Sequence, residues 1–280
     1  MLGIVVLNYN TWYETKELIV SIDKYYKDKK KIYIVDNNSK DEISKEIFDY
    51  FEQLNYVEII WNKVNRGYSA GNNLGIQAAL RDNCEHILIS NSDILVIDDT
   101  IQKMIDFMKK SSDIGIVGPQ IYNDNGEFQP FYMLSKLTGS GKIKLWLAKT
   151  PLRKMVSRFE NSFICYQELL QPKKVFGVSG CFFLMSNACA KYLNPWDENV
   201  FLYEEEYIMG VRLESTKYDV YIIPNTHIIH KCGVSTKGMT KFSYQCLIDS
   251  EQYYLKEYIG ENNIICIIIL GIRKILKNYI

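Results

Sequence analysis

The chain of 280 residues is 47% hydrophobic and 13% aromatic, which excludes a mainly disordered protein and provides the core of one large α/β domain, or of one domain with a smaller appendage. Lys plus Arg and Asp plus Glu each number 33, so the net charge of zero gives no overall attraction to nucleic acid. The seven cysteines are never spaced as C-x-x-C, which argues against a zinc site or disulfide framework and favours reduced, buried thiols in a cytoplasmic protein.

The first half of the chain alternates short apolar runs with longer periodic segments. The pattern predicts strands at 4–7, 31–35, 57–61 and 86–90, and helices near 15–26, 44–54, 73–81 and 99–110. Strands that alternate with helices of this length indicate βαβ units and a parallel sheet. The N-terminal apolar run has no basic region before it and turns polar at Asn8, so we interpret it as a strand and not as a signal peptide.

The second half is less regular and contains a basic segment, 134–158. This segment carries seven Lys or Arg residues and no acidic residue, interleaved with Leu, Ile and Trp. Such a mixture is typical of an amphipathic segment at a membrane surface, and a solvated lid or loop is the alternative. Farther along, the pattern predicts strands at 175–185, 220–223 and 226–230 and helices at 204–215 and 245–258.

The tail, 262–280, combines the apolar run 264–272 with Arg273, Lys274 and Lys277. An apolar run of nine residues is too short for a membrane span, which needs about 18. Three interpretations stay open for this tail. It can lie in a membrane interface, pack on the rest of the domain, or form a contact between subunits of a homo-oligomer.

Short polar side chains follow three of the predicted parallel strands. The first strand ends in LNYN at 7–10, the second in VDNNS at 35–39 and the fourth in ISNSD at 89–93. In open parallel sheets, ligands bind in the crevice beyond the carboxyl ends of the strands. One end of this kind is often only a turn, but three on one sheet predict a shared binding site.

A Gly/Asn-rich stretch, 65–75, follows the third strand. Its glycines permit close backbone approach, the helix after it offers N–H groups to a phosphate, and Arg66 adds a charge. No G-x-G-x-x-G motif follows the first strand, which excludes the common dinucleotide site. The Gly-Ser-Gly-Lys sequence at 139–142 lacks the earlier glycine and the strand of a P-loop, so we interpret it as a loop.

Seven motifs, in this order, resemble the family 2 nucleotide-sugar glycosyltransferases of the GT-A fold, and most closely the rhamnosyltransferase-like enzymes of bacterial surface polysaccharide synthesis. They are VVLNYN, VDNNS, NRGYSAGNN, NSD, GVSGCFFL, WDENVFLYEEE and HKCGVS. The resemblance implies an α/β fold with a Rossmann-like, mostly parallel sheet flanked by helices. It also implies a nucleotide-sugar-binding half (1–122) and an acceptor-side half (123–245) of a GT-A domain (1–245), followed by a C-terminal helical tail (246–280).

The resemblance assigns the donor, a UDP- or dTDP-linked sugar, to the first half of the chain. Asp36 would accept a hydrogen bond from the base, in a pocket lined by Asn8 and Asn10. Asn38 and Arg66 would lie near the ribose and the phosphates. The remaining predicted donor contacts are Asn72, Asn73, Asn91 and Ser92.

The resemblance also implies a divalent metal cofactor, Mn²⁺ or Mg²⁺. Asp93 corresponds to the last acidic residue of the family's D-x-D element, whose first position is Asn91 here. Hard cations of this kind prefer oxygen ligands and bridge phosphates. His230, at the start of HKCGVS, is the second predicted metal ligand or a diphosphate contact, and a histidine simply hydrogen-bonded in place is the equal alternative.

The acidic residues at 204–206 are predicted to supply the catalytic base. In the family a carboxylate after F-L-Y deprotonates the acceptor hydroxyl in a single inverting displacement, and the matching residue is Glu206, with Glu205 as the second choice. Crowded carboxylates raise one another's pKa. The alternative is a helix N-terminus that carries acids because the helix dipole favours them. The family's following Asp is Ile208 here.

Gly180, Trp196 and Tyr203 are predicted on the acceptor side, although aromatic side chains beside a cleft are more often part of the core. We therefore expect a metal-dependent inverting glycosyltransferase that acts on a lipid-linked glycan in the cytoplasm or at the inner face of the plasma membrane. A non-catalytic subunit that binds sugar nucleotides or glycans is the alternative, favoured by the departures at Asn91 and Ile208.

Overall fold

The protein, a computed structural model, is described over residues 1–129, 133–148, 150–151, 154–155, 167–231 and 240–276. The strands in these ranges are β1 (Leu2–Asn8), β2 (Lys30–Asp36), β3 (Val57–Trp61), β4 (His86–Asn91), β5 (Ile94–Val96), β6 (Ile114–Tyr122), β7 (Phe128–Gln129), β8 (Lys173–Val175), β9 (Phe182–Ser186) and β10 (Asp219–His230). The helices are α1 (Trp12–Tyr25), α2 (Lys45–Glu52), α3 (Tyr68–Arg81), α4 (Thr100–Met108), α5 (Gly139–Leu147), α6 (Asn187–Leu193), α7 (Glu205–Leu213), α8 (Lys241–Tyr253) and α9 (Asn263–Leu276), with a π-helix (Tyr254–Tyr258) directly after α8.

These strands form one sheet with the order β3-β2-β1-β4-β9-β6-β10-β5, with β7 paired to β6 and β8 to β10. The four strands at the β3 end are parallel, so their carboxyl ends lie at one edge of the sheet, as predicted. β9 runs antiparallel between β4 and β6, and β5 runs antiparallel to β10, so the other half of the sheet is mixed.

Alternate residues of β1 enter two different cores. Ile4 and Val6 pack with apolar residues of α1 and α4, whereas Val5 packs on the other face with residues of α3 and α6. Successive side chains of a strand point to opposite faces of the sheet. A strand covered by helices on both faces is therefore apolar at every position, which explains its continuous apolar run.

A third core joins α5 and α7 to the C-terminal helices. It contains Trp146 of α5, Tyr207 of α7, Tyr254 of the π-helix and Ile269 of α9. The C-terminal residues 246–276 therefore pack against α5 and α7, which lie within residues 123–245. No helix in the described ranges is both long enough and apolar enough to span a bilayer.

The prediction of a loop at 139–142 is wrong, because these residues form the first turn of α5. Thr138 caps this helix, its hydroxyl accepting a hydrogen bond from the Gly141 N–H. Gly139 lies close to Ile269, so the small residues let α9 approach α5. Of the basic segment, Lys149, Arg153 and Arg158 lie outside the described residues, as do Lys277 and the last four residues of HKCGVS.

β6 is a strand that the sequence pattern did not reveal. Eight of its nine residues are buried, yet it contains Gly115, Gly118 and Pro119, which usually indicate a turn. The glycines are required by packing: a Cβ at Gly115 would lie 2.7 Å from Tyr218, and one at Gly118 would lie 2.8 Å from Ile222. At these two positions the backbone of β6 thus packs directly against side chains of β10, its parallel neighbour, and of the residue before it.

Candidate active site

The carboxyl ends of β1 and β2 are joined by the side chain of Asn8. Its Nδ2 donates to Asp36 Oδ1 (2.9 Å) and to Ser39 Oγ (3.2 Å). Its Oδ1 accepts hydrogen bonds from the hydroxyls of Thr11 (3.1 Å) and Thr15 (2.9 Å). All four hydrogen-bonding positions of this fully buried amide are thus used inside the protein. These bonds of Asn8 hold Asp36 in place within the protein, and its predicted contact with a donor stays a prediction.

Asp36 is held in one orientation by further bonds from the loop after β2. Ser39 donates to it from both its hydroxyl (2.5 Å) and its N–H (3.1 Å). Asn10 and Asn38 adopt left-handed backbone conformations, and the Asn10 side chain accepts a hydrogen bond from the Lys40 N–H at 2.7 Å. Asn10 therefore shapes the loop, while the exposed Asn38 side chain is free of such a role.

Asn37 has a structural role that the sequence analysis missed. Its Nδ2 donates to Asn65 Oδ1 (2.9 Å) and to the Gly67 carbonyl (3.1 Å), and its Oδ1 accepts from Asn62 (2.9 Å). This buried amide ties the end of β2 to the Gly/Asn-rich stretch. A signal was present, since an asparagine directly after a buried strand is well suited to hold a neighbouring loop.

Gly67 brings the start of α3 against the segment that leads to α7. Its φ is +98°, and a Cβ there would lie 2.3 Å from the Phe201 carbonyl oxygen. The next residue, Tyr68, donates its N–H to the same oxygen at 2.8 Å. Only glycine combines this conformation with so close an approach. Gly67 therefore joins the Gly/Asn-rich stretch to the segment before the acidic residues 204–206.

Asn73 and Arg66 meet the segment before α7 through Glu198. Asn73 donates to Glu198 Oε1 (2.9 Å) and to the Trp196 carbonyl (3.1 Å), and accepts from the Trp196 N–H (2.8 Å). Arg66 pairs with Glu198 Oε2 at 2.7 Å and remains largely exposed. The hydrogen bonds of buried Asn73 are thus made inside the protein, while the Arg66 side chain mainly faces solvent, and the predicted donor contacts of both residues stay predictions.

Asp93 and His230, the two predicted metal ligands, lie side by side. β5 and β10 pair antiparallel, which places His230 Nε2 3.4 Å from Asp93 Oδ1. Within the described ranges this buried oxygen of Asp93 has no hydrogen-bond partner. A carboxylate oxygen and an imidazole nitrogen together suit Mn²⁺ and, less well, Mg²⁺. No set of three or more metal-ligating side chains occurs in the part of the chain that is described.

Asn91 and Ser92 connect this pair to the rest of the site. The Asn91 N–H donates to the Cys181 carbonyl at 2.8 Å, and the hydroxyls of Ser92 and Thr11 are 2.7 Å apart. Gly180, the residue before Cys181, donates its N–H to Glu206 Oε1 at 2.9 Å. The segment that carries Asp93 is therefore one peptide away from the contact that holds Glu206.

Gly180 fixes the Glu206 carboxylate at the start of α7. A Cβ at this position would lie 2.8 Å from Glu206 Oε1, so the contact requires glycine. Tyr68 donates its hydroxyl to the Gly180 carbonyl at 2.5 Å, which holds the next peptide of the same residue from the side of α3. Asn72, also predicted at the donor, is buried and donates to the Tyr68 carbonyl at 3.0 Å.

Glu205 and Glu206 differ in how readily they ionise. Burial, followed by the neighbouring Glu206 charge, holds the pKa of Glu205 well above its usual range, and its Oε1 has no hydrogen-bond partner among the described residues. Burial also raises the pKa of Glu206, but the Gly180 N–H and the Lys142 ammonium oppose this by favouring the carboxylate. Glu206 is half-buried and Glu205 fully buried, so Glu206 is the better placed base.

The two predicted acceptor-side aromatics have different surroundings. Trp196 is only 2% exposed and lies between the rings of Tyr68 (6.2 Å between centroids) and Phe183 (5.9 Å). Trp196 is therefore packed in the core, and its predicted role on the acceptor side stays a prediction. Tyr203 is half-buried and has a left-handed backbone (φ 74°) directly before the acidic cluster.

The sequence profile of glycosyl transferase family 2 matches residues 3–191, more than half of the chain. The chain belongs to glycosyl transferase family 2. The family resemblance predicted from the seven motifs is confirmed. A curated relative is the "Low-salt glycan biosynthesis hexosyltransferase Agl10" of Haloferax volcanii, 28% identical over 126 residues. These residues are 45% of this chain and 38% of the relative, so the match spans well under half the relative's length.

One solved structure similar to this family 2 chain is that of GalNAc-T7 with UDP, GalNAc and Mn²⁺. The TM-score is 0.66 at 14% sequence identity, and the match covers 99% of this chain and 55% of GalNAc-T7. S. aureus TarS 1-349 in complex with UDP has a TM-score of 0.56 at 13% identity, covering 92% of this chain and 70% of TarS. At these identities the likeness concerns the fold alone. It confirms the predicted α/β fold of the GT-A type.

Proposed function

We propose that this family 2 chain is a metal-dependent inverting transferase, which moves a sugar from a UDP- or dTDP-linked donor to a hydroxyl of a lipid-linked glycan. The observation that carries the proposal is the contact between Glu206 and Gly180, one peptide away from the segment of Asp93. In this proposal, the base Glu206 and the diphosphate-binding segment that carries Asp93 belong to the same site. The donor sugar, including the rhamnosyl option, is part of this proposal.

On the donor side, Asp36 would accept a hydrogen bond from the nucleotide base, and Arg66 would contact the phosphates. Asp93 and His230 fit a divalent cation. The buried Oδ1 of Asp93 has no hydrogen-bond partner in the described residues, and it lies 3.4 Å from the imidazole Nε2 of His230. When bound, such a cation neutralises charge on the leaving nucleoside diphosphate. The Mn²⁺ and UDP named for GalNAc-T7 support the same chemistry here.

On the acceptor side, Glu206 would take the proton of the acceptor hydroxyl. The acceptor oxygen then bonds to the anomeric carbon as the bond from that carbon to the diphosphate oxygen breaks, which inverts the configuration. Gly180 holds the carboxylate toward the reacting group, so little reorganisation is needed. Burial raises the pKa of Glu205 well above its usual range, so Glu205 is the less readily ionised of the two and is not assigned as the base.

Contact with a membrane would bring the enzyme to a lipid-linked acceptor used in cell-surface polysaccharide synthesis. α9 exposes Ile264 (70%), Ile267 (65%) and Ile268 (53%), and Lys274 is exposed near its end. Apolar side chains next to a cation suit the interface of an anionic membrane, which supports peripheral binding at the inner face.

Membrane binding can be tested by co-sedimentation with vesicles that contain anionic lipid. We expect replacement of Ile264 and Ile268 by Ser to reduce the bound fraction several-fold at physiological salt. Val20→Ser on α1, where the side chain is 49% exposed, is the matched control. Absence of binding by the unaltered protein, or equal binding by all variants, would contradict this part of the proposal. A change of oligomeric state in the Ile variants would instead indicate a subunit contact.

The alternative is a non-catalytic subunit that binds sugar nucleotides, and the observation in its favour is Asn91 in place of an acidic residue. Thermal unfolding with a panel of UDP-, dTDP- and GDP-sugars tests the donor part. A donor at ~100 times its Kd should stabilise the protein by about 2.7 kcal/mol. For the proposed enzyme the shift appears with one nucleotide class and Mn²⁺ and is lost with chelator. No shift with any donor contradicts the donor assignment.

A further inference from the structure

The buried side chain of Lys142 contacts the acidic cluster. Lys142 comes from the basic segment, yet its side chain is only 7% exposed. Its Nζ donates to both carboxylate oxygens of Glu204, at 2.5 and 2.7 Å. The ammonium also lies over the rings of Tyr207 (4.6 Å) and Tyr254 (5.4 Å). This lysine is therefore enclosed by one carboxylate and two aromatic faces and is not available to a membrane surface.

Glu204 occupies an unusual position at the start of α7. It and Tyr203 are two consecutive non-glycine residues with left-handed backbones (φ 70° and 74°). Helices usually begin after an extended residue whose side chain caps them, but the Glu204 side chain makes no such cap. Its carbonyl instead accepts the first helical hydrogen bond, from Ile208 at 2.9 Å. Disfavoured backbone of this kind persists only where the surroundings fix it.

Lys142 binds the side chain of Glu204 at this turn. Its two bonds to Glu204 anchor the side chain of the residue whose backbone starts the helix, and Glu206 follows two residues later. Coming from α5, Lys142 is 62 residues away in sequence, so the contact depends on the packing of α5 against α7. A shift of the turn would move the Glu206 carboxylate away from Gly180.

We propose that Lys142 is a positioning residue for sugar transfer, which holds Glu204 and thereby sets Glu206 at the start of α7. This inference rests on the proposed role of Glu206 as the base. Among the described residues, the titratable groups that act on that carboxylate include Glu204 just before α7, Glu205 within it, Lys142 from α5 and Tyr68 from α3. Ionised Glu204 disfavours the Glu206 carboxylate and Lys142 favours it, so the two partners affect its ionisation in opposite directions.

The test compares steady-state transfer and its pH dependence in four variants. Lys142→Met should lower kcat by about tenfold to a hundredfold with little change in donor KM, since small displacements of a catalytic group have effects of this size. It should also move the acidic limb of the kcat profile to higher pH, and Glu204→Gln should move that limb to lower pH. Lys136→Met is the matched control, because its pair with Glu214 (2.7 Å) is exposed.

The double variant Lys142→Met/Glu204→Gln keeps the test decisive if the single variant does not fold. Removing both charges of a buried pair often restores stability, so this variant should unfold near the wild-type temperature while kcat stays at least about tenfold low. Wild-type kcat and pH profile in a folded double variant would overturn the inference while the proposed function stands. If wild type and Glu206→Gln transfer sugar equally, or if neither transfers sugar, both the inference on Lys142 and the proposed function are wrong.

Discussion

The two edges of the proposed site are organised by different interactions. At the proposed donor edge, the Asn8 amide is bonded to Asp36, Ser39, Thr11 and Thr15, and the Asn37 amide is bonded to the stretch after β3, so that Asp36 is held by neutral hydrogen-bond donors. At the proposed acceptor edge, the buried ammonium of Lys142 is bonded to Glu204, the first of three consecutive glutamates, and the two residues before α7 are left-handed. The hydrogen bonds of the proposed donor edge are thus complete without a ligand, whereas the ionisation of Glu205 and Glu206 depends on burial and on neighbouring charges. Changes at the first should affect folding and donor affinity, and changes at the second should affect turnover and its pH dependence.

We expect the largest effect from a substitution in the proposed metal pair, Asp93 and His230, because it should change both turnover and the response of donor binding to chelator. Asp93→Asn removes one negative charge beside His230, and we expect kcat to fall at least about a hundredfold, because loss of a Lewis acid removes several kcal/mol of transition-state stabilisation. Donor-induced thermal shifts should no longer respond to chelator. Asp98→Asn is the control, since Asp98 contacts His227 at 3.3 Å in a similar pair with no predicted metal role. Equal activity of the two variants would exclude the metal assignment.

Gly180→Ala tests the acceptor side alone. The added Cβ would lie 2.8 Å from Glu206 Oε1 and must displace the carboxylate. We expect kcat to fall by about tenfold to a hundredfold with donor affinity nearly unchanged, as measured by transfer kinetics and thermal shift. Gly271→Ala on α9, with no atom within 4 Å of the added Cβ, should leave kcat unaltered. If Gly180→Ala weakens donor binding instead, the division between the two sides is wrong.

Asn8→Ala tests the donor edge. Four hydrogen bonds to a buried amide are lost, so the free energy of unfolding should fall by about 1–3 kcal/mol in denaturant titration. Donor affinity should fall with it because Asp36 loses a fixed orientation. The exposed Asn55→Ala should change neither quantity. An unchanged unfolding free energy for Asn8→Ala would mean that the four hydrogen bonds of Asn8 do not stabilise the folded protein.

The smallest expected effect comes from Glu205. Burial raises its folded-state pKa, so the unfolded chain ionises first and the protein loses stability as the pH rises above the ordinary glutamate range. Glu205→Gln removes this loss. Its free energy of unfolding should match that of wild type near pH 4 and exceed it at pH 8. The same difference at both pH values would show that Glu205 is ionised in the folded protein.

The parallel half of the fold could be predicted from sequence because its apolar runs are continuous and separated by helices. The mixed half was harder to predict. Gly115, Gly118 and Pro119 resemble a turn, yet the glycines are needed where β6 lies against β10. Likewise, the predicted strand at 175–185 is two strands, β8 and β9, since the glycine-rich residues between them turn toward Glu206.

In the candidate site, residues within motifs could be named, but their long-range partners could not. Asp93 and His230 were both selected, and the pairing of β5 with β10 brings them together. Lys142 was assigned to a basic surface because nothing local indicates its partner Glu204, and Glu198 was overlooked as a partner of Asn73 for the same reason. Such pairs depend on helix packing, which periodicity does not specify.

The most direct test of the account is sugar transfer by Glu206→Gln together with its donor affinity. The substitution keeps the shape of the side chain and removes the base. We expect kcat to fall by about a hundredfold to ten-thousandfold, the usual contribution of a positioned base, while donor and Mn²⁺ still stabilise the variant as they do wild type. Turnover at the wild-type rate would contradict the account.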